Sequence, residues 1–174
     1  MAIEEELSPI PVERLDFPYR QAGRKRPDRP EVLVAAVVQA AEDLARSAGV
    51  APARLVLGGR SMGGRICSMA VAEGLPALGL ALVSYPLHPP GRPERLRTAH
   101  LPQIGVPCLF VSGTRDAFGA PGALEAAAAT IPAPVTHAWI EGGDHGLRRR
   151  EHEVAQVVAA WVRSLPPLEP RAAQ

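Results

Sequence analysis

The chain has 174 residues, 47% of them hydrophobic and 21% charged, with a formal net charge of +1. Those values fit one domain with its own core, and they exclude a disordered acidic chain or a strongly basic nucleic-acid-binding one. No apolar run reaches the ~20 residues that cross a bilayer, and the acidic start MAIEEELSPIPVERL lacks the basic and apolar regions of a signal peptide. The expectation is a cytoplasmic protein with no membrane contact.

In chain order, VERLDF (12–17) reads as a short strand and PYRQAGRKRPDRP (18–30) as a polar, proline-punctuated loop. Residues 31–48 follow as a helix, with Leu33, Val37, Ala41 and Leu44 on one stripe and Gly49 as its stop. Residues 54–58 read as a buried strand, 62–72 as a helix, 78–84 as a second buried strand and 85–103 as a long proline-rich connection. A strand at 107–112, an alanine-rich helix at 121–130, a strand at 134–140 and a helix at 151–164 complete the pattern. Residues 1–165 form one domain in this reading, and 166–174 a disordered tail. Alternating strands and helices, with near-continuous apolar strands, predict a three-layer α/β sandwich around a mostly parallel sheet. Aromatic residues make up only 4%, so Leu, Val, Ile and Ala must build the core. Cys67 and Cys108 fall in apolar runs and read as reduced core residues.

LVLGGRSMGGR (55–65) raises the question of chemistry. It holds Gly59-Arg60-Ser61-Met62-Gly63, a G-x-S-x-G placed between a strand and a helix. A serine on that turn projects its hydroxyl from the carboxyl edge of the sheet, and flanking glycines leave room for the turn and for close strand–helix packing. The following helix start favours developing negative charge, and the Met62 backbone N–H is the oxyanion donor. The stretch lacks the Lys-Ser/Thr ending of a phosphate-binding loop. A plain turn is the alternative.

A serine hydroxyl needs an adjacent base. On such a sheet the order is serine, acid, histidine, each in a loop beyond a strand's carboxyl end. GTRDAFG places Asp116 after one strand, and EGGDHGL places His145 after the last. His145 is the general base and Asp116 its orienting acid; Asp144 is the rival acid, disfavoured because adjacent side chains seldom face each other. His137 lies within a strand as a structural residue, His152 opens a helix in solvent, and His88 and His100 lie in the long connection, where His88 is placed to line a pocket. Of Arg60 and Arg65, which flank the serine, one reads as exposed and one as making a structural pair. A basic surface of Arg24, Lys25 and Arg26, joined by Arg14, Arg20 and Arg29, reads as a solvated loop or as partners for the acidic N-terminal residues, so no nucleic acid is expected.

The stretches FPYRQAGRKRPDRP, LGGRSMGGR, YPLHPPGRPERLRTAHLP, VSGTRDAFG and GGDHGL together resemble the α/β-hydrolase fold, and within it the dienelactone-hydrolase-like group and its KANL/Tex-type branch. The resemblance covers residue 12 to the final helix. It implies a Ser61–Asp116–His145 triad and no cofactor, but no known substrate; the expectation is a small-molecule acyl substrate, with Tyr19, Arg60, Tyr85, His88 and Phe118 as pocket candidates. Dienelactone hydrolase itself uses a cysteine where this chain has Ser61. The family usually begins with further strands and an H-G-x-G-type loop that supplies a second oxyanion N–H; here MAIEEEL reads as the end of the helix that follows that loop. Three accounts fit: a longer natural chain, a donor from a backbone N–H near Pro18-Tyr19, or a fold that binds without cleaving. Without the strand that carries that loop, VERLDF must close the gap beside LVLGG or pair elsewhere; an exposed sheet edge is expected, and with it a homodimer.

Overall fold

Two runs, LALV and CLFVS, are apolar at nearly every position, and such strands are stable only with both faces covered. In the computed structural model, which describes residues 2–166, they are central strands. The sheet is β1 (Val56–Arg60), β2 (Gly79–Val83), β3 (Cys108–Gly113) and β4 (Val135–Ile140), all parallel, in that spatial order. Every residue of β2 and β3 is buried. Alternation along them splits the core. Leu80, Leu82, Cys108 and Phe110 meet α3 (Pro30–Ala48), α4 (Met62–Ala72) and α5 (Pro121–Ala128) on one face. Ala81, Val83, Leu109 and Val111 meet α6 (Glu151–Ser164) on the other. A short α1 (Ala2–Leu7) lies against α6, where Arg163 donates to the Glu6 carbonyl. The expected three-layer α/β sandwich is the architecture found, and α3 stops at Gly49 with φ 65°.

Three expectations need correction. VERLDF is not a strand: residues 11–17 are irregular, with Glu13 to Asp16 exposed. A strand needs a ladder, and no strand lies beside this segment to pair with it. The strand expected at 54–58 begins later, because Pro52–Arg54 close a 3-10 turn. It then runs to Arg60, since Gly58, Gly59 and Arg60 pair with Ala81, Leu82 and Val83. Among the described residues no strand pairs with its other side, so β1 is an edge strand, half exposed rather than buried. Finally, the 18–30 loop contains a single helical turn, α2 (Pro18–Gln21), whose Tyr19 is buried against the core.

Within the basic loop Arg24 pairs with Asp28 at 3.0 Å, and Arg14 reaches Glu4 at 3.3 Å, the intramolecular partner the charge pattern suggested. Cys67 and Cys108 are free and buried, and desolvation pushes both thiols up to about 12. No helix among the described residues is long and apolar enough to cross a membrane. The expected tail, apart from Pro166, lies outside the described residues.

Candidate active site

Ser61 follows the last residue of β1 and precedes the first of α4. Its N–H still continues the ladder, donating to Val83 O at 2.8 Å. Its backbone then turns sharply, with φ 52° and ψ −118°. A side chain at positive φ is strained, and such strain is held where a fold must aim one group. Two glycines permit the turn. A Cβ at Gly59 would sit 2.7 Å from the Gly63 carbonyl carbon, and one at Gly64 would sit 2.5 Å from Gly59 O. The second packing glycine is therefore Gly64, one residue beyond the motif; a Cβ at Gly63 would meet nothing within 4 Å. Met62 opens α4 directly after Ser61, so its N–H has no acceptor within the helix.

The loops after β3 and β4 are locked together by a contact that the sequence does not announce. A Cβ at Gly113 would lie 2.1 Å from Gly143 O, so the backbones touch, and Arg115 N–H donates to the same oxygen at 2.9 Å. That contact joins Asp116 to His145. Asp116 is 2% exposed and takes the Phe118 N–H on Oδ1 at 2.8 Å. His145 Nδ1 lies 3.0 and 2.9 Å from the two carboxylate oxygens, and its Nε2 lies 2.8 Å from Ser61 Oγ. With Nδ1 protonated toward the carboxylate, Nε2 is the acceptor for the serine proton. The rival, Asp144, is spent locally: its Oδ1 accepts from Leu147 N–H at 3.0 Å and closes the turn.

Around this chain of bonds the fold gathers three of the expected pocket residues. The Phe118 ring stands edge-on to the His145 ring, centroids 4.6 Å apart, and His88 lies 5.8 Å beyond Phe118. Among the described residues Arg60 forms no ion pair. Its guanidinium donates to the carbonyls of Gly146 and, at 3.4 Å, His145, and so ties the end of β1 to the histidine loop. Arg60 is exposed, as foreseen for one of the flanking arginines, and Arg65 has no acidic partner among the described residues. The other two pocket candidates lie elsewhere. Tyr19 packs in the core beside Phe17. Tyr85 is fully buried, and its hydroxyl meets His100 Nε2 at 3.2 Å. His100 also meets Ser68 Oγ at 2.8 Å, and burial drops its pKa to about 4. His137 stacks between Phe110 and Trp139, and burial lowers its pKa too. His152 is exposed beside Glu6. Among the described residues no grouping of His, Cys, Asp and Glu could hold a metal ion.

A parallel sheet whose strand ends carry serine, acid and histidine in that order defines a class, and sequence comparison agrees with it. The family model described as alpha/beta hydrolase domain matches residues 2–164, and the chain belongs to that family. Solved structures share the fold at low identity. An alpha-beta serine hydrolase homologue from Coxiella burnetii is 20% identical with a TM-score of 0.64, over 82% of this chain and 63% of that one. Dienelactone hydrolase from Anabaena variabilis is 19% identical with a TM-score of 0.65, over 86% and 66%. A puromycin-hydrolyzing peptidase from Mycobacterium tuberculosis is 20% identical with a TM-score of 0.62, over 81% and 26%. The chain spans less than two thirds of the length of each.

Proposed function

We propose that the protein is a serine hydrolase that cleaves a small ester, thioester or related acyl bond. The observation that carries this reading is the unbroken series Ser61 Oγ, His145 Nε2, His145 Nδ1, Asp116 carboxylate, every step within 3.0 Å. Ser61 Oγ attacks the acyl carbon while His145 Nε2 takes its proton. Asp116 holds the ring in the productive tautomer and stabilises the imidazolium. The carbonyl oxygen becomes an oxyanion facing the Met62 N–H and the positive end of α4. Collapse expels the leaving group, protonated by His145, and leaves an acyl-serine. Water, deprotonated by the same nitrogen, then releases the acid and restores Ser61.

One feature favours a second reading, a fold that binds acyl compounds and turns them over slowly. The turn supplies one oxyanion donor, Met62 N–H, and loss of a partner donor costs about 10²–10³ in rate. A fluorophosphonate probe separates the two readings, followed by intact mass and peptide mapping with Ser61→Ala as control. Stoichiometric labelling at Ser61 with ester turnover supports the hydrolase. Labelling with acyl-enzyme that persists supports slow turnover. No labelling of folded protein refutes both catalytic roles for Ser61.

A further inference from the structure

One turn of α4 beyond the nucleophile lies a group that the proposed chemistry does not use. Arg65 N–H donates to Ser61 O at 3.1 Å, which puts the two residues on neighbouring positions of one helix face. The Arg65 Nε is buried with no hydrogen-bond partner, and Nη1 has only the thioether of Met69, at 3.1 Å. A thioether is a weak acceptor, and a buried unsatisfied guanidinium nitrogen is costly. Among the described residues no carboxylate pairs with Arg65 or with Arg97.

The surroundings make the lack of an anion more acute. Burial holds the Arg65 pKa down, and the like charge of a second guanidinium, Arg97, lowers it further. Arg97 is anchored by its N–H on Leu87 O at 2.7 Å. The remaining groups are neutral. Tyr85 is pushed up to about 12 and His100 down to about 4, and both are fixed with Ser68 in one hydrogen-bonded cluster. Ser68 in turn donates to Arg65 O at 2.8 Å. Two positive charges thus share a half-buried place without a counter-charge. That place belongs to the same connection whose other end puts His88 over Phe118 and the histidine of the site.

We infer that Arg65 and Arg97 form a subsite for an oxyanion group, carboxylate or phosphate, carried by the acyl substrate and separated from its scissile carbonyl by a short chain. A guanidinium fork offers paired donors that match either group. The span from Ser61 to this subsite is one to two helical turns, roughly 5–11 Å. This inference rests on the hydrolase reading for the position of the carbonyl, but the anion site itself can be tested without turnover.

The test compares p-nitrophenyl hexanoate with the p-nitrophenyl monoester of adipate, which has the same chain length and a terminal carboxylate. The expected result is a kcat/KM ratio favouring the adipate ester by about tenfold, weakened by high salt and falling toward unity in Arg65→Met and Arg97→Met. Arg65→Lys retains part of the preference, and Arg97→Met, on a surface connection, keeps the test open if Arg65→Met fails to fold. A ratio near unity in the native protein overturns the subsite and leaves the hydrolase reading standing. If neither ester is cleaved and Ser61 resists the fluorophosphonate, the hydrolase reading falls. Thermal shift with free adipate or inorganic phosphate then decides the site: a rise lost in Arg65→Met sustains it, and no rise with either anion overturns it. The anion that gives the larger rise identifies the source of the charge.

Discussion

Asp116→Asn isolates what the carboxylate does beyond filling space. Only one amide oxygen remains to serve two donors, the Phe118 N–H at 2.8 Å from Oδ1 and the His145 Nδ1 at 2.9 Å from Oδ2. With the oxygen on Phe118 it still lies 3.0 Å from Nδ1, but the NH₂ group stands 2.9 Å from the same nitrogen, so an Nδ1–H faces a donor as well as an acceptor. That contact favours the tautomer with the proton on Nε2, where it points at Ser61 Oγ across 2.8 Å and cannot accept. The reverse amide orientation leaves the Phe118 N–H buried against a donor, at a cost of about 1–3 kcal/mol. The wrong tautomer is therefore favoured, and either orientation removes the charge that stabilises the imidazolium. Fluorophosphonate labelling and ester hydrolysis should both fall about 10⁴-fold, or ~5.5 kcal/mol in barrier. The midpoint of unfolding should move by only a few degrees, because the side chain keeps its shape. Asp144→Asn, whose oxygen can still accept from Leu147, should stay within about twofold of the native rate while that turn bond persists. A folded Asp116→Asn protein that labels within tenfold of native would refute the assignment, and a collapse in Asp144→Asn instead would transfer it to the rival.

Other consequences follow from single contacts. Arg60→Met cuts the tie between β1 and the carbonyls of His145 and Gly146. Labelling should slow about tenfold, mostly in kcat, and Arg60→Lys should recover part of the loss. Gly64→Ala drives a methyl to 2.5 Å from Gly59 O and should destabilise the fold by about 1–3 kcal/mol in chemical denaturation. Gly63→Ala meets open space and should be neutral or stabilising by up to ~1 kcal/mol. His100 has a folded pKa of about 4 against an ordinary 6.5, so the unfolded chain binds its proton first. Its contribution to stability is complete above pH 6.5 and declines as pH falls toward 4. The thermal midpoint of Arg-intact, native protein should drop more steeply across that window than that of His100→Gln.

Much of this molecule could be read from its sequence, for identifiable reasons. β2 and β3 are apolar at nearly every position, α3 carries a clean stripe with a glycine stop, and the positions of Ser61, Asp116 and His145 follow from which strand end each residue occupies. What escaped was set by neighbours. VERLDF has the residues of a strand, but strand identity depends on a partner, and none stands beside it. β1 has apolar content suited to burial, yet its place at the edge leaves it half exposed. The Arg60 bond to the histidine loop spans 85 positions, and the Gly113–Gly143 contact joins two loops that are remote in the chain. Neither leaves a local pattern. The extra glycine in GGRSMGGR was visible, but its task, close approach of α4 to β1, becomes clear only from the Cβ that would collide there.

The strands lie in space in the order in which they occur in the chain. Each can therefore dock on its predecessor as synthesis proceeds, with β1 first and β4 last. Ser61 arrives at the end of the first of these strands, and its hydrogen-bond partner His145 beyond the last, 84 residues later. Until β4 has found its register on β3, Ser61 lacks its hydrogen bond to His145. If Ser61 acts as proposed, its reactivity toward acyl groups depends on the final strand, so that labelling of the serine would report completion of the sheet.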